Sequence, residues 1–158
     1  MTLPGRQRMK KRTASWRNLL VPVDGSPPSR RAVVQAAALA RRLKAGIIAL
    51  HVITPFEAYA HGYALPPVVT RADFEKHAKR ASEKILSGAR KTAAGASCLC
   101  CTARNESAAD AIVKAARLNH CSLIVMGSHG RRGLERLLLG SVAQKVLAKS
   151  RVPVLICR

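Results

Sequence analysis

Short continuous apolar runs alternate along this chain with longer stretches in which apolar residues recur every three or four positions. The first run, Asn18-Leu19-Leu20-Val21-Pro22-Val23-Asp24, ends at a carboxylate and the turn-forming Gly25-Ser26-Pro27-Pro28. It predicts a buried strand that runs into a loop. Beyond it, Ala32, Val33, Ala36, Ala37, Leu39, Ala40 and Leu43 recur at helical spacing, while Arg30, Arg31, Arg41, Arg42 and Lys44 take other positions. This predicts an amphipathic helix capped by Ser29 and stopped near Gly46. Gly46 to Ile53 is again apolar and ends at Thr54-Pro55. Two runs buried on both faces and joined by a helix predict parallel strands.

The alternation continues to the end of the chain. Residues 55–69, with Pro55, Pro66 and Pro67, read as a long loop. Thr70 to Lys91 offers Ala72, Phe74, Ala78, Ala81, Ile85 and Leu86 as one helical face, and Gly95 closes that segment. Ala96 to Ala103 predicts a third strand, and Ser107 with Asp110 resembles a loose capping box for a helix reaching Leu118. Ser122 to Met126 predicts strand four, Ser141 to Lys149 a last helix, and Val152 to Cys157 strand five, which Pro153 marks as an edge. The order predicts a single α/β domain over residues 18–158. It is doubly wound and Rossmann-like, with a five-stranded, mainly parallel sheet flanked by about four helices. Ligands of such sheets sit outside the carboxyl ends of the strands at the switch point. If strands one and four flank that point, Asp24 and the loop after Met126 converge.

Composition narrows the partners. The 158 residues suit one domain, and 48% hydrophobic with only 3% aromatic residues implies a core of Ala, Val, Leu and Ile. No apolar stretch is long enough to span a membrane, and the basic start has no apolar segment behind it. A cytoplasmic protein without a membrane partner is expected. Against 8 acids stand 28 Lys and Arg, a net charge of +20 that attracts nucleotides, nucleic acids and anionic surfaces alike. Residues 1–17 hold six of these charges and no acid, and read as a tail without regular structure. The tail is either a solubilising extension or a tether to nucleic acid. Cys98, Cys100, Cys101, Cys121 and Cys157 are odd in number and lack C-x-x-C spacing, so neither a zinc site nor a disulfide framework is indicated. They read as small buried hydrophobes, with redox sensing by Cys100 and Cys101 as the alternative.

The chemistry concentrates in Gly127-Ser128-His129-Gly130-Arg131-Arg132-Gly133 through Gly140-Ser141. Glycines let backbone N–H groups approach an anion, and a helix starting at Ser141 presents unpaired N–H groups and a positive dipole end. There is no Walker lysine, and the spacing is not G-x-G-x-x-G, so neither a P-loop NTPase nor a nicotinamide dehydrogenase is supported. The spacing is Gly127, two residues, Gly130, nine residues, then Gly140-Ser141.

Together with Val23-Asp24-Gly25-Ser26, His51-Val52, Ile124 to Gly130, and Val152-Pro153-Val154-Leu155, this motif resembles the universal stress protein family over residues 18–158. The resemblance implies an adenine nucleotide alpha hydrolase-like fold, the ATP-binding branch, ATP with Mg²⁺, a stress-response role and a homodimer paired through Val152–Cys157. By carry-over, Gly127 and Gly130 would take the ribose and phosphate side, and Gly140, Ser141 and Val142 the phosphates. Pro22, Val52 and Met126 would line the adenine. Asp24 would either bond the nucleotide or help to position a divalent ion.

Arg131, Arg132 and Arg136 either fold over a triphosphate or face water. His129 either contacts phosphate or is solvated, His51 reads as a core side chain, and His61, His77 and His120 have no metal spacing. Apart from Asp24 no acid lies at the expected crevice, so fast hydrolysis is not expected and slow turnover stays open. ADP, AMP or a cyclic nucleotide fits the same pocket.

Overall fold

The computed structural model describes residues 16–58, 70–130 and 139–158. Most of the expected 55–69 loop, the three loop arginines, His61 and the tail up to residue 15 lie outside them. Five strands, β1 (Asn18–Pro22), β2 (Gly46–Ile53), β3 (Cys98–Arg104), β4 (Leu123–Gly127) and β5 (Val154–Cys157), form one sheet in the order β3-β2-β1-β4-β5. Every pairing is parallel. Strand β1 is central, and its Leu19, Leu20 and Val21 are fully buried, as expected for a run without polar alternation.

The chain leaves β1 toward β2 on one side and arrives at β4 on the other. The switch point therefore lies between β1 and β4. Helices α1 (Pro27–Leu43) and α2 (Arg71–Thr92) cover one face. There Val21, Ala36, Ala40, Ala49, Ala89 and Val125 share a core. Helices α3 (Ala108–Leu118) and α4 (Ser141–Lys149) cover the other, over Leu20, Leu50, Ile112, Ile124, Met126 and Val146.

Several boundaries differ from expectation for local reasons. Ser26, not Ser29, caps α1: its hydroxyl accepts the Ser29 N–H at 3.3 Å, and Pro27 and Pro28 fill the first turn. Proline fits there because its φ is already helical and its missing N–H would have had no partner. Helix α1 ends at Lys44 in the left-handed region (φ 53), with its N–H on the Ala40 carbonyl. Gly46 instead opens β2, where its N–H donates to the Arg17 carbonyl at 2.8 Å. Trp16 packs against the core beside it. Strand β3 begins at Cys98, two residues later than the pattern predicts. Pro153 sits just outside β5, its carbonyl accepting the Ile124 N–H at 2.9 Å, and β5 is an edge as expected.

Candidate functional site

The crevice forms where β1 and β4 release the chain. Asp24 lies two residues beyond β1 and accepts the Ser26 N–H on Oδ1 at 2.9 Å, which fixes the carboxylate at the turn into α1. From the other strand, Gly130 comes so close that a Cβ on it would lie 2.8 Å from Asp24 Oδ2. Carboxylate and glycine loop do converge.

The loop is tied at its base. The Ser128 N–H donates to the Cys157 carbonyl at 2.8 Å, and the returning Gly140 N–H donates to the Ser128 carbonyl, also at 2.8 Å. A Cβ on Gly140 would lie 3.3 Å from both His129 Cα and Ser128 O, so a side chain there would crowd the crossing. Gly140 is also the N-cap of α4, and no side chain caps that helix. Helices α1, α2 and α3 are each closed by a hydroxyl, from Ser26, Thr70 and Ser107. The first main-chain bond of α4 is Gln144 N–H to Gly140 O at 3.0 Å, so the N–H groups of Ser141 and Val142 precede the helical ladder. Ser141 is exposed at this end.

Helix α4 starts on the Met126 face of the sheet, and the expected adenine side chains lie there too. Val52 packs against the cluster that contains Leu50 and Met126. Pro22, two residues beyond Leu20, shares that face by strand alternation. The backbone of Val52 is aimed as well. In β2, Gly46 and Leu50 bond toward β1, whereas Ile47 and Ile53 bond toward β3. Val52 therefore faces the β1 side, and pairing with β1 stops at Leu50. Its N–H and C=O look into the space that β1 has vacated.

Gly127 has a different local reason. A Cβ on it would fall 2.8 Å from Pro28 C and Cβ and 3.0 Å from Ser29 N, so it permits α1 to sit directly on β4. His51 is satisfied as expected but only half-buried: its Nδ1–H donates to the Val23 carbonyl at 2.7 Å. His129 Nδ1 and Ser128 Oγ bond at 3.0 Å, while His129 Nε2 is buried with no partner among the described residues. His77 and His120 are exposed. Cys121 and Cys157 are buried, and the three thiols of β3 are half-buried. Burial pushes Cys98 and Cys121 up to about 11, and Cys101 and Cys157 also upward. Those four stay protonated thiols at neutral pH, poor nucleophiles.

Sequence reasoning missed the Ser26 cap and the packing role of Gly127. Ser26 was findable, since a serine directly before Pro at the first helical position is a start signal. No pattern around Gly127 announces that α1 crosses there.

Fold and crevice together define a doubly wound α/β domain whose switch point holds an uncapped helix end, a glycine loop and the Asp24 carboxylate. The chain belongs to the universal stress protein family, whose sequence model matches residues 15–158. Among relatives, it is 34% identical over 148 residues to universal stress protein YxiE of Bacillus subtilis, covering 90% of this chain and 99% of that one. It is 31% identical over 146 residues to universal stress protein MJ0531 of Methanocaldococcus jannaschii, covering 90% and 82%. Among solved structures it is similar to a universal stress protein in complex with cAMP, with 26% identity, a TM-score of 0.69 and coverage of 92% and 99%. It is also similar to MJ0577, at 26% identity and a TM-score of 0.67, covering 90% and 96%. Among the described residues no helix is long and apolar enough to cross a membrane.

Proposed function

We propose that the β1–β4 crevice binds an adenine nucleotide, ATP with Mg²⁺ foremost, and that the protein is a nucleotide-dependent binding and signalling module of the cytoplasmic stress response. The observation that carries this reading is the start of α4. It is the one long helix among the described residues with glycine for its N-cap, and it stands where the loop from β4 and the carboxylate of β1 meet. An anion there would take the N–H groups of Ser141 and Val142 and the positive end of the helix dipole.

The remaining residues divide the ligand between them. Gly140 keeps the approach free of a side chain, and the Ser141 hydroxyl adds a donor. Gly130 and the main chain after Gly127 border the ribose and phosphate side. Val52 N–H and C=O read the adenine edge, with Pro22, Val52 and Met126 on its faces. Asp24, already held by Ser26, receives either a ribose hydroxyl or a divalent ion; bound Mg²⁺ would supply charge neutralisation at the phosphates. The related protein in complex with cAMP supports an adenine nucleotide as the ligand class. A homodimer through the open edge of β5 completes the reading, because an unpaired edge is a surface for pairing.

The test is calorimetric titration of the nucleotide-stripped full chain with Mg-ATP, beside Gly130→Val. Saturable micromolar binding, lost in a variant that drives a branched side chain toward Asp24, is expected. A folded sample that takes up neither ATP, AMP nor cAMP overturns the reading. Slow release of ADP, abolished by Asp24→Ala, would mark a weak hydrolase.

A further inference from the structure

The face of the sheet opposite Val52 and Met126 carries a second concavity. Helices α1 and α2 leave between them a groove of about 330 Å³. Its volume is at the small end of small-molecule sites. Its depth is mainly apolar, with Val33 1% and Ala89 6% exposed and Ile85 half-buried beside them, and the hydroxyl of buried Ser29 there is spent on the Ser26 carbonyl at 3.0 Å. Two exposed cations, Arg30 and Lys84, line its outer part, and no acid is among its described lining residues. Lys84 has no ion-pair partner among the described residues. Arg30 uses one N–H on the Gly25 carbonyl at 2.7 Å, and a guanidinium has four more.

Gly88 sharpens the picture. It lies inside the 22-residue helix α2, where glycine is destabilising relative to alanine. Close packing does not require it, because a Cβ built there meets nothing within 4 Å. Gly88 lines the groove, so what its missing side chain leaves is room. Along α2 the lining runs from Ala81 to Thr92, roughly 16 Å of helix.

We infer that this groove binds an anionic amphiphile: a medium-length acyl carboxylate whose chain lies against Val33, Ile85 and Ala89, past Gly88, and whose head meets Arg30 and Lys84. An apolar trough with cations only at its outer side is complementary to a molecule with one charged end and one apolar end. A nucleotide would have to bury its hydroxylated ribose and the hydrogen-bonding edge of its base in the trough, and a nucleic-acid backbone gains nothing from it. The groove lies on the opposite face of the sheet from the apolar side chains of the crevice, and it borders the crevice at Val23 and Gly25, which flank Asp24.

The experiment is titration of the full chain with decanoate below its micellar concentration, followed by calorimetry, with decanol as the neutral-headed control. Saturable binding of one decanoate per chain is expected, weaker by roughly tenfold for decanol or for Arg30→Gln with Lys84→Gln. Gly88→Leu should abolish it while raising Tm, since the side chain enters open space on a helix that gains propensity. Gly88→Ala should raise Tm and keep most of the binding. Non-saturable uptake, equal binding of decanoate and decanol, or undiminished binding in a folded Gly88→Leu protein would each overturn the assignment.

Discussion

Two helices start within one turn of the switch point, and their first residues are treated in opposite ways. At α1 the end is closed: Ser26 caps it, Pro27 and Pro28 remove two donors, and Asp24 takes the Ser26 N–H. At α4 the cap is Gly140, and no side chain among the described residues caps the first N–H groups. Both ends carry the same dipole, so the difference is availability. The first is used up in holding the turn rigid, while the second is held in place by the Gly140–Ser128 bond and left open to a ligand.

The largest expected effect comes from closing the open end. Gly140→Asp would give α4 a carboxylate cap of its own and place negative charge where phosphate would sit. Mg-ATP affinity should fall roughly a hundredfold, about 3 kcal/mol, with Tm little changed because the new cap offsets crowding against His129 and Ser128. Calorimetry beside a thermal melt checks this; unchanged affinity in Gly140→Asp would make the two helix starts equivalent.

Next comes the glycine that belongs to the closed end. Gly127→Ala puts a methyl 2.8 Å from the backbone of Pro28, which cannot rotate away, so α1 must shift on β4. Overpacking of this kind costs about 2 kcal/mol, measured as a lowered urea midpoint. Glycines of one motif thus part company: Gly127 should change stability first, and Gly130 and Gly140 affinity first.

How much of this was legible follows from where each signal lives. The strands buried on both faces were plain because their apolar runs are short, unbroken and bounded by Gly, Pro or Asp, and β2 begins and ends where the pattern puts it. The meeting of Asp24 with the glycine loop was legible only through topology, since nothing local to either segment names the other. The Ser26 cap was lost to the plausible Ser29, although the prolines pointed to it. The close approach of α1 to Gly127, and the groove beside Gly88, depend on how helices seat on the sheet. A periodic pattern shows which face packs but not how closely.

Ser26→Ala tests the closed end by a smaller amount. It leaves the Ser29 N–H without its acceptor in a buried turn, at a cost of about 1 kcal/mol. Ser141→Ala, the matching hydroxyl deletion at the open end, should leave Tm unchanged and weaken nucleotide binding alone. Melts and titrations of the pair separate the two roles; a drop in Tm for Ser141→Ala would mean that the open end is structural as well.

The smallest effect extends the comparison from the site to Cys98, Cys101, Cys121 and Cys157, which the fold holds in the form least able to react. Cys98 and Cys121 are raised by burial from an ordinary 9.0 to about 11. A group that keeps its proton more tightly when folded stabilises fully below pH 9, and that contribution is lost as pH rises through 9 toward 11. Cys98 is half-buried and Cys121 buried, so the loss is discounted by screening at Cys98 and is read at Cys121. It is read as the difference in Tm between the parent and Cys121→Ala, which should narrow between pH 8 and 11. Alkylation of Cys98 and Cys121 by iodoacetamide, read peptide by peptide, should be slow at pH 8 and keep climbing up to about pH 11. A rate that levels off near pH 8 would mean a thiolate at neutral pH, making the β3 side a reactive surface after all and ending the contrast with the one open end at α4.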